Sequence, residues 1–272
     1  MENKVLLIND MPGFGKVALA VMLPILTKLK CHTSNLPTAL VSNTLDYGKA
    51  EITETTDYMK KAIAMWKEMN ITYKVITTGF VVSDKQAELV YDYCRDSKKV
   101  GSTVIVDPIM GDNGAFYPCV EAKSADFMKR LCAIADVILP NVTEACFMTG
   151  IEYKEQYTES EFAELISRLG EICNKSIVIT SANIDGKTYT VIKENGADSY
   201  EMLPYTEIPV RFVGTGDIFS AVVTGGIANG RSLRYSVENA MRTIENLIEV
   251  NKDAEDKFRG LPIEDCIDAV RE

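Results

Sequence analysis

An α/β fold with a mostly parallel sheet is the class this sequence predicts, and three observations predict it. Short β-branched runs alternate with segments of helical period along most of the chain. Polar residues gather where those runs end. One hairpin signal, late in the chain, interrupts the alternation. Strands alternating with helices cover a parallel sheet on both faces, and a terminal hairpin extends such a sheet antiparallel at one edge. The 272 residues contain no Pro/Gly/Ser-rich linker or repeat, so the chain reads as one domain over residues 1–272.

Each element has its own reason. Val5-Leu-Leu-Ile8 is a short apolar run of the kind that makes a buried strand, and 16–30 reads as a helix bent by Pro24. Ala39-Leu-Val41 is a strand. Residues 53–69 place Met59, Ala62, Ile63, Trp66 and Met69 on one helical face. Lys74-Val-Ile-Thr77 ends at Thr78-Gly79, and Ser83-x-x-Gln86 then opens a helix with a capping box. Residues 103–106 and 137–139 are strands closed by Asp107-Pro108 and Pro140-Asn141. Thr158-x-x-Glu161 caps a helix carrying Phe162, Leu165, Ile166, Leu169 and Ile172, and 176–180 is the next strand. Strands at 187–193 and 199–203 flank the turn signal Glu194-Asn195-Gly196. From Gly214 onward the chain is helical, with caps at Ser232 and near Pro262.

Composition excludes several classes. Hydrophobic residues make up 46% and charged residues 25%, enough to fill a large core, so disordered, collagen-like and coiled-coil classes are out. The 39 acidic against 29 basic residues give a net charge of -10, which opposes binding to a nucleic-acid backbone. A nucleotide ligand stays open, because a local backbone anion site outweighs a diffuse field. The longest apolar run, 17–26, is half the roughly 20 residues a membrane span needs, so no membrane partner is expected. Seven cysteines form no C-x-x-C pair, and no export signal is apparent; reduced thiols in a cytoplasmic protein are the expectation. His32 is the single histidine and reads as structural. H-E-x-x-H and G-x-S-x-G are both absent, which argues against a zinc protease and a serine hydrolase.

In sheets of this kind ligands sit beyond the carboxyl ends of the strands. Asn9, Asp10, Thr78, Asp107, Asn141, Glu144, Thr180 and Ser181 all fall at such ends. The strongest segment is Val213-Gly-Thr-Gly-Asp217 opening a helix rich in small residues. Its glycines permit a tight turn, and the first amides of the helix form a ready phosphate site. Asp217, in the first turn, could take the proton of an alcohol attacking a phosphoryl group. The spacing alone is equally consistent with a plain helix cap. Gly13-Phe-Gly15-Lys-Val-Ala18 has the form of a dinucleotide fingerprint, but no acidic residue follows at the expected distance, so these glycines read as close chain approach.

The Gly214-Thr-Gly-Asp217 segment resembles the anion-hole signature of the ribokinase superfamily. Other segments follow in the order of its pyridoxal kinases: Asp107-Pro-Ile-Met-Gly-Asp112 with Tyr117, Pro140-Asn-Val-Thr-Glu144 with Ala145, Val178-Ile-Thr-Ser181, Ser42-Asn43 with Tyr47-Gly48, and Thr78-Gly79-Phe80. The likeness runs from about residue 5 to 250 and implies a ribokinase-like three-layer αβα sandwich. It further implies that Gly214, Thr215 and Gly216 hold the transferring phosphoryl group and that Asp217 is the base. Asn141 and Glu144 would organise Mg²⁺, with Asp107 and Asp112 near the phosphates and cations, so that Asp107 and Glu144 are the metal candidates. Thr180 and Ser181 would contact ATP. Asp10, Ser42 and Thr44 would border the vitamin pocket, with Tyr47 and Phe80 as walls. The implied reaction is ATP-dependent phosphorylation of the 5'-hydroxymethyl group of a B6 vitamer. ATP and Mg²⁺ are the implied cofactors, K⁺ is a candidate for a second cation site, and a homodimer is the implied assembly.

Three departures stand out. Pyridoxal kinases usually read Ser-Asn-His-Thr-Gly-Tyr where this chain has Ser42-Asn-Thr-Leu-Asp-Tyr47. They tend to carry Ser at Asp10 and Thr at Leu139. Asp10-Met-Pro-Gly is closer to the Asp-Pro-Ser-Gly start of hydroxymethylpyrimidine kinases, which makes that thiamin-pathway activity the alternative. Those enzymes, however, often end in Gly-Thr-Gly-Cys and usually lack a Gly-Asp at 111–112. A binding-only protein that kept the fold is the third reading, and intact Asp217, Asn141 and Glu144 count against it.

Overall fold

A computed structural model describes residues 3–271. The chain divides into two compact units, one built from the chain up to Val81, Ser97–Ser102 and the chain from Ile208 on, the other from Val82–Asp96 and Thr103–Glu207.

The first unit opens with β1 (Lys4–Pro12), α1 (Ala18–Lys28), β2 (His32–Val41), β3 (Ile52–Glu54), α2 (Thr56–Glu68) and β4 (Val75–Thr78). Its strands lie in the order β4-β1-β2-β3; β1 is parallel to both β4 and β2, and β3 joins the edge antiparallel. Val5 to Ile8 are fully buried at its centre, as their unbroken apolar run requires. Strand β2 starts seven residues earlier than the sequence reading placed it. The polar residues His32 to Asn35 pair along β1 from Lys4↔His32 onward, so the partner strand, not the local pattern, makes them extended. Pro24 stays inside α1 without ending it.

The second unit comprises α3 (Asp84–Lys99, of which the residues to Asp96 belong here), β5 (Thr103–Val106), β6 (Gly111–Asp112), β7 (Ala115–Phe116), α4 (Ser124–Ile134), β8 (Val137–Ile138), α5 (Val142–Thr149), α6 (Glu159–Ile172), β9 (Ser176–Ile184), β10 (Lys187–Lys193) and β11 (Glu201–Pro204). The order is β5-β8-β9-β10-β11, parallel as far as β9 and antiparallel through the late hairpin. β6 and β7 form a separate hairpin. The Thr158/Glu161 capping box is complete: each side chain accepts from the other residue's backbone amide.

The chain closes the first unit with α7 (Thr215–Ala228), α8 (Leu233–Asn251) and the short α9 (Ile263–Cys266). Helix α7 is apolar on most faces and buried from Ile218 to Gly225. Its small residues let neighbours close in: Gly225 meets Leu26 and Leu29 at the end of α1, and Gly226 meets Ser236 of α8. That packing fixes where the N-terminus of α7 ends up. Both ligand-facing ends described below are strand or helix termini of these two frames. Among the described residues, no helix is long and apolar enough to cross a membrane.

Candidate active site

In the first unit, β1 ends at Asn9 and Asp10, and α7 begins at Gly214. Gly214 adopts φ 81°, the left-handed conformation natural to glycine, and a Cβ there would come within 2.6 Å of the Lys16 carbonyl oxygen. The turn thereby delivers the free amides of Thr215 and Gly216 to the start of the helix, and Asp217 to its first turn. A Cβ at Gly216 would meet no protein atom within 4 Å, so nothing inside the fold demands glycine there.

Two donors define the Asp217 carboxyl. Buried Asn9 donates from Nδ2 to its Oδ1 at 3.2 Å, and the backbone amide of Ala18 at the start of α1 also donates to it. Asn9 is itself locked, its Oδ1 accepting from the Phe80 amide at 2.8 Å and the Asp10 amide at 3.0 Å. Burial nevertheless outweighs these donors and pushes Asp217 up to about 6. Asp10 is pushed further, to about 7, first by burial and then by the Asp217 charge. Two carboxyls thus share one site, and both titrate near neutrality.

The other residues expected on the acceptor side divide. Phe80 is buried beside Asn9, and Tyr47 lies exposed in an aromatic group, 5.8 Å from the Phe14 ring and 5.9 Å edge-on from Phe258. Thr44 is buried, and its hydroxyl donates to the Phe258 carbonyl at 2.6 Å. Ser42 donates to Asn43 at 2.6 Å and accepts the Glu51 amide at 2.9 Å. Both hydroxyls therefore serve the loop's own structure.

In the second unit, Asn141 and Glu144 form a capping box at the start of α5, which the sequence reading did not single out as one. Asn141 Oδ1 accepts the Glu144 amide at 3.0 Å, and Glu144 Oε2 accepts the Asn141 amide at 2.9 Å. Glu144 Oε1 takes the Met110 amide at 3.0 Å, while Asn141 Nδ2 donates to the Gly111 carbonyl at 2.9 Å. The box thereby ties α5 to the Asp107–Asp112 segment. Burial, then the Asp107 charge, raises Glu144 well above the usual carboxylate range, against the pull of three backbone amides. Asp107 is buried at the end of β5.

Beside the box lies a cavity of about 60 Å³ bordered by Asp112, Asn141, Thr143, Tyr153, Ser181 and Asn183, among others. Ser181 is exposed and left-handed at φ 60°. Thr180 pairs with Asn141 as an isolated parallel bridge. The Asn183 Oδ1 atom is buried without a hydrogen-bond partner. Asp112, Asn141, Thr180 and Ser181, all expected on the nucleotide side, are thus brought together. Tyr153 and Asn183 were missed, because neither falls at the end of a strand legible in the sequence. Phe14 and Phe258, the ring neighbours of Tyr47, were not singled out for a different reason: their loops have no periodicity.

Two buried carboxyls, Asp107 and Glu144, and the Asn141 amide are the oxygen-bearing side chains expected near a cation. No group of three or more His, Cys, Asp or Glu that could hold a metal occurs among the described residues. The fit to a divalent cation rests on charge: the groups acting on Glu144 are the Asp107 charge and three backbone amides, so two negative carboxyls are gathered at one buried place.

A family model described as phosphomethylpyrimidine kinase matches residues 23–260. A candidate pyridoxal kinase of Schizosaccharomyces pombe is 29% identical over 201 residues, 69% of this chain and 57% of the relative. The pyridoxal kinase of Arabidopsis thaliana is 26% identical over 189 residues, 66% of this chain and 60% of the relative. The chain spans less than two thirds of the length of these curated relatives. A candidate phosphomethylpyrimidine kinase from Bacteroides thetaiotaomicron, solved in a crystal form with pyridoxal, is 30% identical with a TM-score of 0.92, covering 99% of this chain and 96% of that one. With a match of that breadth, the chain belongs to the phosphomethylpyrimidine kinase family, in the same ribokinase-like superfamily as the pyridoxal kinases.

Proposed function

We propose that the protein transfers the γ-phosphoryl group of ATP to the 5'-hydroxymethyl group of a B6 vitamer, with Asp217 as general base. The observation that carries this reading is the Asp217 carboxyl itself. It is half-buried in the first turn of α7, beside the Thr215 and Gly216 amides, and titrates at about 6. A base poised there is ionised at pH 7 yet retains proton affinity, the compromise that proton transfer from an alcohol favours. The helix-start amides stabilise charge on the phosphoryl oxygens as the bond to the leaving group breaks. Asp10 faces the acceptor as a second carboxyl, suited to a ring hydroxyl, a ring nitrogen or an amine. Phe80 and Tyr47 supply apolar walls.

The nucleotide side is assigned to Asp112, Asn141, Thr180 and Ser181. Asp107 and Glu144 would hold Mg²⁺, with Glu144 acting through water because both its oxygens already accept backbone amides. When bound, the metal neutralises triphosphate charge. The capping box keeps Asn141 and Glu144 in one fixed orientation, so the site does not reorganise as charge moves.

The description of the matching family favours a second reading, phosphorylation of a hydroxymethylpyrimidine. Pyridoxal in the crystal of the Bacteroides neighbour, which aligns over nearly the whole of both chains, supports the pyridine reading. ADP release from purified protein with MgATP, tested separately with pyridoxal, pyridoxamine, pyridoxine and hydroxymethylpyrimidine, decides between them. Turnover on a pyridine above the pyrimidine is expected. Turnover on the pyrimidine alone would move the assignment to thiamin synthesis, and no turnover on any of the four would overturn it.

A further inference from the structure

The loop Asp256–Gly260 lies between α8 and α9, far from any motif, yet it is bonded to the chain at Val213, Thr44 and Lys16 in the first unit. The Lys257 carbonyl accepts the Val213 amide at 3.5 Å, one residue before the Gly214 turn. The Phe258 carbonyl accepts the Thr44 hydroxyl at 2.6 Å. The Arg259 carbonyl accepts the Lys16 amide at 2.7 Å, and Gly260 pairs with Lys16 as a parallel bridge. The loop is itself restrained. Asp256 Oδ1 accepts the Phe258 and Arg259 amides at 3.1 and 3.2 Å, and its Oδ2 accepts the Tyr47 hydroxyl at 2.5 Å. Arg259 lies 5.4 Å above the Phe14 ring, and Lys16 is ion-paired to Glu264.

Lys16 is the point where these restraints meet. Gly260, at φ 84°, and Gly214, at φ 81°, both abut its carbonyl oxygen, and a Cβ on either would lie 2.6 Å from it. Two residues on, Ala18 is held at φ 45°, a left-handed conformation costly for alanine, and its amide donates to Asp217. Val17, between them, offers no side-chain cap. A strained residue persists only where its surroundings over-determine it, and here the over-determination comes from Lys16.

We propose that the Asp256–Gly260 loop is a positioning strap for the Asp217 carboxylate: by clamping the Lys16 carbonyl against the Gly214 turn, it holds the left-handed Ala18 whose amide hydrogen-bonds the base. The inference rests on the kinase reading only where it speaks of rate; the strap's effect on the carboxyl is independent of it. The groups facing Asp217 are few. β1 contributes Asn9, with Asp10 beside the carboxyl, and α1 the Ala18 amide; Thr77 of β4 and Ser236 of α8, both neutral, meet α7 further along, at Thr224 and Gly226. Loosening the Ala18 amide removes a donor that favours the ionised form, so the Asp217 midpoint rises.

The test compares Gly260→Ala with Gly230→Ala in the full chain. Gly230 is also left-handed, at φ 79°, but has open space around its Cβ position, so it reports backbone strain without the clamp. The Asp217 carboxyl is followed by ¹³C NMR titration, its signal assigned by loss in Asp217→Asn. Gly260→Ala is expected to raise the midpoint by about 0.5–1 pH unit. It should also lower kcat about tenfold or more with little change in KM for MgATP. Gly230→Ala should show the smaller loss of Tm that backbone strain alone causes, and neither shift. Equal midpoints in the two folded variants would overturn the proposal. If Gly260→Ala does not fold, Asp256→Ala releases the strap without touching Lys16; a smaller shift of the same sign supports the proposal and an unmoved midpoint overturns it. A shifted midpoint in a protein that phosphorylates none of the four alcohols would sink the kinase reading and leave the strap standing.

Discussion

Asp10 with Asp217 in the first unit and Asp107 with Glu144 in the second are both pairs of like charge, set where strands end and helices begin. Their surroundings differ. Glu144 is enclosed, with both oxygens committed to backbone amides and its own helix cap. Asp217 has one side-chain donor and one amide, is half-buried, and stands at a helix start with no side-chain cap. Burial raises both carboxyls, but Asp10 and Asp217 keep partial exposure, whereas Asp107 and Glu144 are buried. The comparison teaches that a carboxyl at the same kind of position is left with free lone pairs or held as a fixed anchor according to how many of them the backbone has claimed.

The sharpest way to break this comparison is Asp217→Asn. It should lower kcat by roughly 10²–10⁴-fold while leaving nucleotide affinity largely intact, measured by steady-state kinetics and nucleotide titration. An unchanged rate would remove Asp217 from the base role. Glu144 should behave as an anchor instead. Glu144→Ala leaves the Met110 and Asn141 amides and a helix start without their acceptor, at a cost of about 2–3 kcal/mol in urea unfolding. Glu144→Gln, which retains one acceptor, should cost less. A rate loss in Glu144→Ala with no loss of stability would contradict the anchor assignment.

The smallest effect concerns Asp10. Its midpoint, about 7 in the folded protein, is raised above the 3.8 of a free carboxyl. A raised midpoint means the native state binds more protons than the unfolded one, so this contribution to stability is complete below about pH 4 and is lost as pH rises through about 7. Asp10→Asn removes the charge that causes the loss. The Tm gain of this variant over the parent should therefore be larger at pH 8 than at pH 5. A gain independent of pH would show that Asp10 is not the titrating partner.

Parts of this were legible in the sequence. The Thr158/Glu161 and Ser232 caps are read correctly because each depends on residues three apart. The buried run Val5–Ile8 and the late hairpin are equally local. Edge strand β3 was absorbed into a helix reading of 53–69, since three residues with polar character carry no periodicity of their own and become a strand only by pairing with Ala39–Val41. Ser42 and Thr44 look like ligand hydroxyls in a linear sequence; Thr44 meets its acceptor 214 positions away.

The sequence by itself determined the alternation of strands and helices, the glycine turn at 214 and the identity of the carboxyls, because periods of two and 3.6 residues and capping bonds act over a few positions. The tertiary structure alone decided which carboxyl stays open to a ligand, that Asn141 and Glu144 cap one another while gripping the Met110–Gly111 backbone, and that the loop at 256–260 closes on Lys16. Those outcomes depend on burial and on hydrogen-bond partners brought together from distant parts of the chain, and a carboxyl's proton affinity is set by that company, not by its neighbours in sequence.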